Sequence, residues 1–271
     1  MKYSKWWASP FILWIAIGTV VPVFSIAYYG LTDRSGNFTF ENIMATFQAE
    51  HMQALGLSLL LALVSTAVCF ILALPMAMIL RNSKRGKTGM VIFVFILPMW
   101  MNFLLRTMAW QVLLEREGVI NSLLNAVGLP GQHLINTPGA IVLGMVYDFL
   151  PFMILPIYNA ACKIDNRLIE AAYDLGADTG TVYRKVIFPL LIPGFVSGVT
   201  MVFIPALTTF VISNMLGGGK INLIGNIIEQ EFTVSSNWYL GSGMSLVMMV
   251  FIIITMLMFS KFDKSGGESL I

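Results

Sequence analysis

The chain has 271 residues, of which 57% are hydrophobic and only 11% charged, with a formal net charge of +2 and a mean hydropathy of +0.81. A soluble globular domain carries about 25% charged residues, so this composition excludes one. The chain reads as a membrane protein, with lipid as its surroundings and no nucleic acid among its expected partners.

A spanning helix needs about 20 predominantly apolar residues. Six runs reach or approach that length, at 8–29, 52–80, 89–114, 139–158, 188–213 and 241–260. Continuous runs, in place of alternating segments of about ten residues, predict helices and not an outer-membrane barrel. The expected fold class is therefore all-α, a polytopic membrane protein with six transmembrane helices forming one domain over 1–271.

The first run comes after Lys2 and Lys5, and Ser25-Ile26-Ala27 imitates a signal-cleavage site. Its apolar core is longer than that of a signal peptide, so a retained helix is expected. Residues 32–51 then form a polar external loop. The second run contains Pro75, which predicts tilt or a kink near its end. The basic turn at 81–88 closes with Gly86-Lys87-Thr88, like the tail of a phosphate-binding loop, but Arg81 stands where the first Gly belongs. Gly217-Gly218-Gly219-Lys220 fails as well, because Ile221 comes after the Lys. No nucleotide site and no cofactor is encoded.

In the third run, which also carries Trp100, Asn102, Arg106 and Trp110 fall four apart on one helical face and form a polar stripe beside the bilayer. Such a stripe points toward protein or water, although Trp110 also suits an interfacial anchor and Arg106 could snorkel outward. The fourth run places Asp148 midway along its length, where an ionised carboxylate costs about 2.5–3.5 kcal/mol. A polycationic substrate would offset that cost, with Tyr147, Trp100 and Trp110 adding cation–π attraction of about 0.5–2 kcal/mol each. An internal pair with Arg106, or a protonated structural Asp, would do so equally well.

Between the fourth and fifth runs lies a polar loop, 159–187, holding the stretch 170–189. Glu170-Ala171-Ala172 with Leu175 reads as a helix, since Ala and Leu have high helix propensity and 171, 172 and 175 share a face. Gly176 interrupts it. A second short helix is expected over 178–186, with Asp178 or Thr179 as N-cap and Arg184 and Lys185 near its C-terminal end, closed by Pro189. The fifth run carries Pro193, Gly194, Gly198 and Pro205, residues that permit close helix approach and bending. Residues 222–232 have an aliphatic face of Ile224, Ile227 and Ile228 opposite Glu229 and Glu231, which predicts a short interfacial or re-entrant helix. The tail after the sixth run, 262–271, reads as disordered.

Twelve of the 16 Lys and Arg lie at the two termini, in the second-to-third loop and in the fourth-to-fifth loop. By the positive-inside rule both termini and the 159–187 loop are expected in the cytoplasm. His51 and His133 lie in external loops without metal spacing, so no metal site is expected. Cys69 falls inside a span and Cys162 in a cytoplasmic segment, which makes a disulfide between them implausible.

The order Glu170-Ala171-Ala172, three residues, Gly176, nine residues, Val186, one residue, Phe188-Pro189 resembles the EAA loop of ABC-importer permeases. Val and Phe stand where Ile and Leu are commoner in that family. The resemblance implies a type I importer permease core. It also implies that Glu170, Ala171, Ala172, Gly176, Ala177, Asp178 and Pro189 belong to a coupling element that fits a cleft on a separate ATPase. Further similarity runs through Pro98 to Trp110, Val146 to Tyr158 and Leu216 to Ile228, and resembles the PotB-like permeases of spermidine/putrescine importers. This second resemblance implies a permease subunit moving polyamines across the bacterial cytoplasmic membrane. Its implied partners are a second homologous permease, two copies of a cytoplasmic ATPase and an extracytoplasmic polyamine-binding protein. Asp148, Tyr147, Trp100, Asn102 and Trp110 are the candidates for its substrate pathway. The alternatives are the same role for another small organic solute, or a secondary transporter, against which stands the lack of an internal duplication. An intramembrane enzyme would need a nucleophile–base or metal set that the sequence does not supply.

Overall fold

Proline and glycine placement governs how the apolar runs become helices. The computed structural model describes residues 4–83 and 97–268, with side chains over 10–83 and 97–261. Among these residues the regular structure is helical, apart from an isolated bridge between Thr32 and Phe38. The helices are α1 (Pro10–Gly30), α2 (Glu41–Ala45), α3 (Ala49–Asn82), α4 (Phe103–Leu114), α5 (Val119–Ala126), α6 (Pro138–Lys163), α7 (Asn166–Asp174), α8 (Thr179–Thr208), α9 (Val211–Leu216), α10 (Ile224–Thr233) and α11 (Trp238–Glu268). Five of them, α1, α3, α6, α8 and α11, are long and apolar enough to cross a membrane.

Several predicted boundaries move. The third run is expected as one helix over 89–114, but its first part lies outside the described residues. Its remainder is a 3-10 turn, Leu97–Trp100, and then α4. The chain breaks because Asn102 adopts an extended ψ of 128° and its side chain accepts the N–H groups of Leu104 and Leu105, competing with a continuous helical ladder. Asn102 is therefore the N-cap of α4 and not a member of a helical stripe with Arg106 and Trp110. The fifth run, expected over 188–213, begins earlier and ends at Thr208, where Thr209 turns extended with ψ 136°. At the C-terminus the helix continues to Glu268 through residues that read from sequence as disordered. Extending an established helix costs far less than nucleating one.

Two prolines are absorbed in the same way. Wider π turns, Ala16–Val20 and Tyr183–Ile187, stand immediately ahead of the segments that open with Pro22 and Pro189. A proline inside a regular helix loses one hydrogen bond and its ring crowds the carbonyl four residues back. Shifting the local bonding by one residue relieves both.

The chain divides into two compact units, residues 1–54 with 227–253, and residues 55–226 with 254–271. In the first, the rings of Tyr29 and Tyr239 meet edge-on at 5.5 Å, as do those of Phe232 and Trp238. The Asn42 amide donates to the Thr32 carbonyl at 2.9 Å and pins the loop after α1. In the second, α6 packs along α8. A Cβ added at Gly194 would lie 2.7 Å from the Ala160 methyl and 2.9 Å from the Pro156 carbonyl, and one at Gly198 would meet Met153 Sδ at 2.7 Å. Lipid offers no hydrophobic drive between helices, so this close approach supplies the association through van der Waals contact.

Candidate functional site

The helix α6 ends at Lys163, and Ile164 turns extended with ψ 118°. Asp165 then caps α7, its carboxylate accepting the Arg167 N–H at 3.0 Å. The helix ends at Gly176, whose φ of +82° lies in the left-handed region that favours glycine. The Gly176 N–H donates to the Tyr173 carbonyl at 2.9 Å and the Ala177 N–H to the Ala172 carbonyl at 3.0 Å. That pair of bonds is a Schellman closure. Asp178 opens α8, its carboxylate accepting from the Thr181 hydroxyl and from the Gly180 N–H. Those donors, the Thr181 hydroxyl foremost, hold the Asp178 carboxyl below its ordinary pKa.

This corner has two sides. Ile169, Ala172 and Ala177 pack against a buried cluster of Met78, Ala161, Ile164, Val182, Ile187 and Leu191. Glu170, Ala171, Tyr173 and Asp174 face outward, and Leu175 is 88% exposed at the tip. An apolar residue is thus held in the open at the tip of the turn, beside Tyr173 and Asp174.

The second limb departs from expectation. A separate helix over 178–186 closed by Pro189 does not form. Instead α8 runs from Thr179 to Thr208 without a stop, and Pro189 sits inside it. The Phe188 N–H donates to the Tyr183 carbonyl, five residues back, so the ladder has already shifted register when Pro189 arrives. The Gly176 corner is thus joined directly to a spanning helix.

The second candidate set divides. Arg106 Nη2 lies 3.2 Å from Asp148 Oδ1, with the two side chains 8% and 2% exposed. Arg106 also donates to the Pro98 carbonyl at 2.9 Å, and the Thr107 hydroxyl donates to Asp148 Oδ2 at 3.5 Å. Among the described residues Arg106 Nε and Asp148 Oδ1 have no hydrogen-bond partner, so attraction between charges carries the Nη2–Oδ1 contact. Trp110 and Tyr147 meet edge-on at 5.3 Å, with Tyr147 partly exposed. Asn102 is occupied in capping α4, and Trp100 is 75% exposed.

A sequence model of the family described as binding-protein-dependent transport system inner membrane component matches residues 70–265. The chain belongs to that family. It is 33% identical over 271 residues to the spermidine/putrescine transport system permease protein PotB of Haemophilus influenzae, covering 97% of this chain and 95% of that relative. It is also 33% identical over 215 residues to PotB of Escherichia coli, covering 79% of this chain and 78% of that protein. In fold it is similar to a chain of the crystal structure of a bacterial ABC transporter involved in alginate import, with a TM-score of 0.80 at 16% identity, covering 94% of this chain and 93% of that one. The permease resemblance read from the Glu170 and Pro98 stretches is borne out, and with it an all-helical, multi-pass inner-membrane component of a transport system.

Two features of this permease escape a reading of the sequence. Arg81, which counts there as a topological charge and as the residue that breaks a phosphate-loop pattern, donates to the Ile164 carbonyl at 3.1 Å and to Asn166 Oδ1 at 2.8 Å. Asn226, which appears there only within a motif, is wholly buried and joins four groups. Its oxygen accepts from the Ser213 hydroxyl and the Leu223 N–H, and its amide donates to the Phe210 carbonyl and to Asn214. Beside it, a Cβ on Gly225 would stand 2.7 Å from the Thr208 carbonyl, so the glycine lets α10 meet the end of α8. The only sequence signal for either is a polar residue flanking an apolar run.

Proposed function

We propose that this chain is the permease subunit of an ATP-driven importer of the polyamines spermidine and putrescine. It would work beside a second, related permease, two copies of a cytoplasmic ATPase and an extracytoplasmic polyamine-binding protein. The observation that carries the substrate class is the 33% identity to Haemophilus influenzae PotB over 97% of the chain. Both termini and the 159–187 loop lie in the cytoplasm, in accord with the distribution of Lys and Arg. The two compact units serve together as one permease domain over 1–271.

In this reading Glu170, Ala171, Ala172, Gly176, Ala177, Asp178 and Pro189 form the coupling element. The exposed Leu175 tip seats on the ATPase, and the Schellman turn fixes its angle. Because α8 is continuous from the corner into the membrane, closure of the ATPases moves the spanning helix as a lever. The aromatic pair Trp110 and Tyr147 lines the substrate pathway and attracts ammonium groups by cation–π contact. Asp148, next to Tyr147 in the chain and paired with Arg106, belongs to the same pathway, and Asn102 and Trp100 mark its edge.

The test is reconstitution of the complete transporter in proteoliposomes with ATP and labelled putrescine. Saturable uptake that requires the binding protein and ATP hydrolysis, survives a protonophore and is competed by spermidine is expected. Uptake abolished by the protonophore with ATP clamped would make the chain a secondary carrier, and competition by an unrelated solute alone would move the substrate class.

A further inference from the structure

We propose that Arg81 is a positioning residue of energy coupling, which fastens the second span to the corner between α6 and α7 so that both move together. The inference rests on the coupling role proposed above for residues 170–189.

The corner needs such a group. Where α6 ends at Lys163 and Ile164 turns extended, the last helical carbonyls lose their partners. Arg81 Nη2 donates to the carbonyl of Ile164, the first residue beyond the helix, at 3.1 Å, and to Asn166 Oδ1 at 2.8 Å. Asn166 is the first residue of α7. One guanidinium therefore bridges the two sides of the turn, and its charge complements the negative end of α6. Both bonds leave the one nitrogen, whose two hydrogens are fixed in the guanidinium plane, whereas a lysine ammonium turns freely on its stem and fixes no such geometry.

A second contact on the same helix points the same way. Met78, about one turn before Arg81, is buried in the cluster with Ala161, Ile164, Val182, Ile187 and Leu191. The end of α3 thus meets the α6–α7 side of the corner by hydrogen bonds and the α8 limb by apolar packing. Three spans, α3, α6 and α8, converge on the coupling element.

Farther along α3, the Ser58 hydroxyl accepts the Ile224 N–H at 2.8 Å, at the start of the segment that Asn226 pins. From Ser58 to Arg81 α3 is unbroken helix, a rod of about 35 Å at 1.5 Å per residue. Motion admitted at Arg81 has a continuous helical route, through Pro75, to the polar node around Asn226.

The experiment measures putrescine taken up per ATP hydrolysed in proteoliposomes holding the full transporter. The variants are Arg81→Gln, Arg81→Lys, Asn166→Ala, the double Arg81→Gln/Asn166→Ala, and Glu170→Lys as a reference. Arg81→Gln is expected to lower the ratio about fivefold or more, the low end of common coupling energies. Arg81→Lys should fall between it and the parent, and the double variant should be no worse than Arg81→Gln alone, since both changes break one clamp. An unchanged ratio in Arg81→Gln, or losses that add in the double variant, overturns the proposal. If Arg81→Gln fails to assemble, Asn166→Ala decides, because Asn166 is exposed and its loss leaves every charge in place. If Glu170→Lys uncouples while the Arg81 and Asn166 variants do not, the clamp alone is wrong. If Glu170→Lys also leaves the ratio intact, the coupling role of 170–189 falls with it.

Discussion

Arg106 and Asp148 face each other at 3.2 Å across the contact between α4 and α6, each almost wholly withdrawn from solvent within the chain itself. A pair buried this way is costly to break from one side, about 3–5 kcal/mol, because the survivor is left as an uncompensated charge. Removing both charges leaves no such survivor. Asp148→Asn is therefore expected to lower the melting temperature of the purified permease and polyamine uptake together. Arg106→Gln/Asp148→Asn should recover most of both. A double variant as stable as the parent but still unable to take up putrescine would show that Asp148 meets the substrate directly.

The Gly176 corner makes a different prediction. An added Cβ there meets nothing within 4 Å, so the penalty is purely conformational, about 1–2 kcal/mol for an ordinary residue in the left-handed region. Gly176→Val should leave the amount of permease in the membrane nearly unchanged while swinging Leu175 away from its docking position. ATPase recovered on affinity-tagged permease, set beside uptake, tests this. Normal ATPase recovery with normal uptake would remove the corner from the coupling element.

Asn226 offers the reverse case, a residue with no exposed surface. Its truncation orphans the Ser213 hydroxyl, the Leu223 N–H, the Phe210 carbonyl and the Asn214 side chain. Each buried polar group left unsatisfied costs about 1–3 kcal/mol. Asn226→Ala should therefore lower the thermal midpoint in detergent by much more than the exposed change Asn125→Ala does. Equal midpoints for the two variants would mean that the node is replaceable by water.

The two cysteines report on topology. Cys162 is exposed and Cys69 has no accessible surface. In intact cells a membrane-impermeant maleimide should label neither, and after permeabilisation it should label Cys162 alone. Labelling of Cys162 from outside would invert the proposed orientation and carry the coupling loop to the wrong side.

How far each feature is legible in the sequence depends on the range over which it is specified. Gly176, Asp178 and the Glu170-Ala171-Ala172 helix are legible because a left-handed turn, an N-cap and helix propensity are properties of a few neighbouring residues. The end of the fifth run is misplaced because Thr209 offers no proline or glycine to announce a stop, and Pro189 fails to act as one because a π turn has already shifted the hydrogen bonds. Asn102 fits a four-residue spacing on paper and caps a helix in space, since its short side chain reaches the N–H groups ahead of it more readily than a neighbouring turn.

The amino-acid sequence by itself determined that the chain lives in a membrane, that its spans are helical and that a polar corner near Glu170 joins two of them. Those conclusions rest on composition, run length and local backbone preference, which act before any helix meets another. Only the tertiary structure decided that Arg106 pairs with Asp148, far along the chain, that Arg81 reaches across to Ile164 and Asn166, and that Asn226 gathers four partners. Each of those groups had several acceptable partners in principle. The choice among them was made by which helices pack side by side, a contact between distant stretches that no local backbone preference specifies.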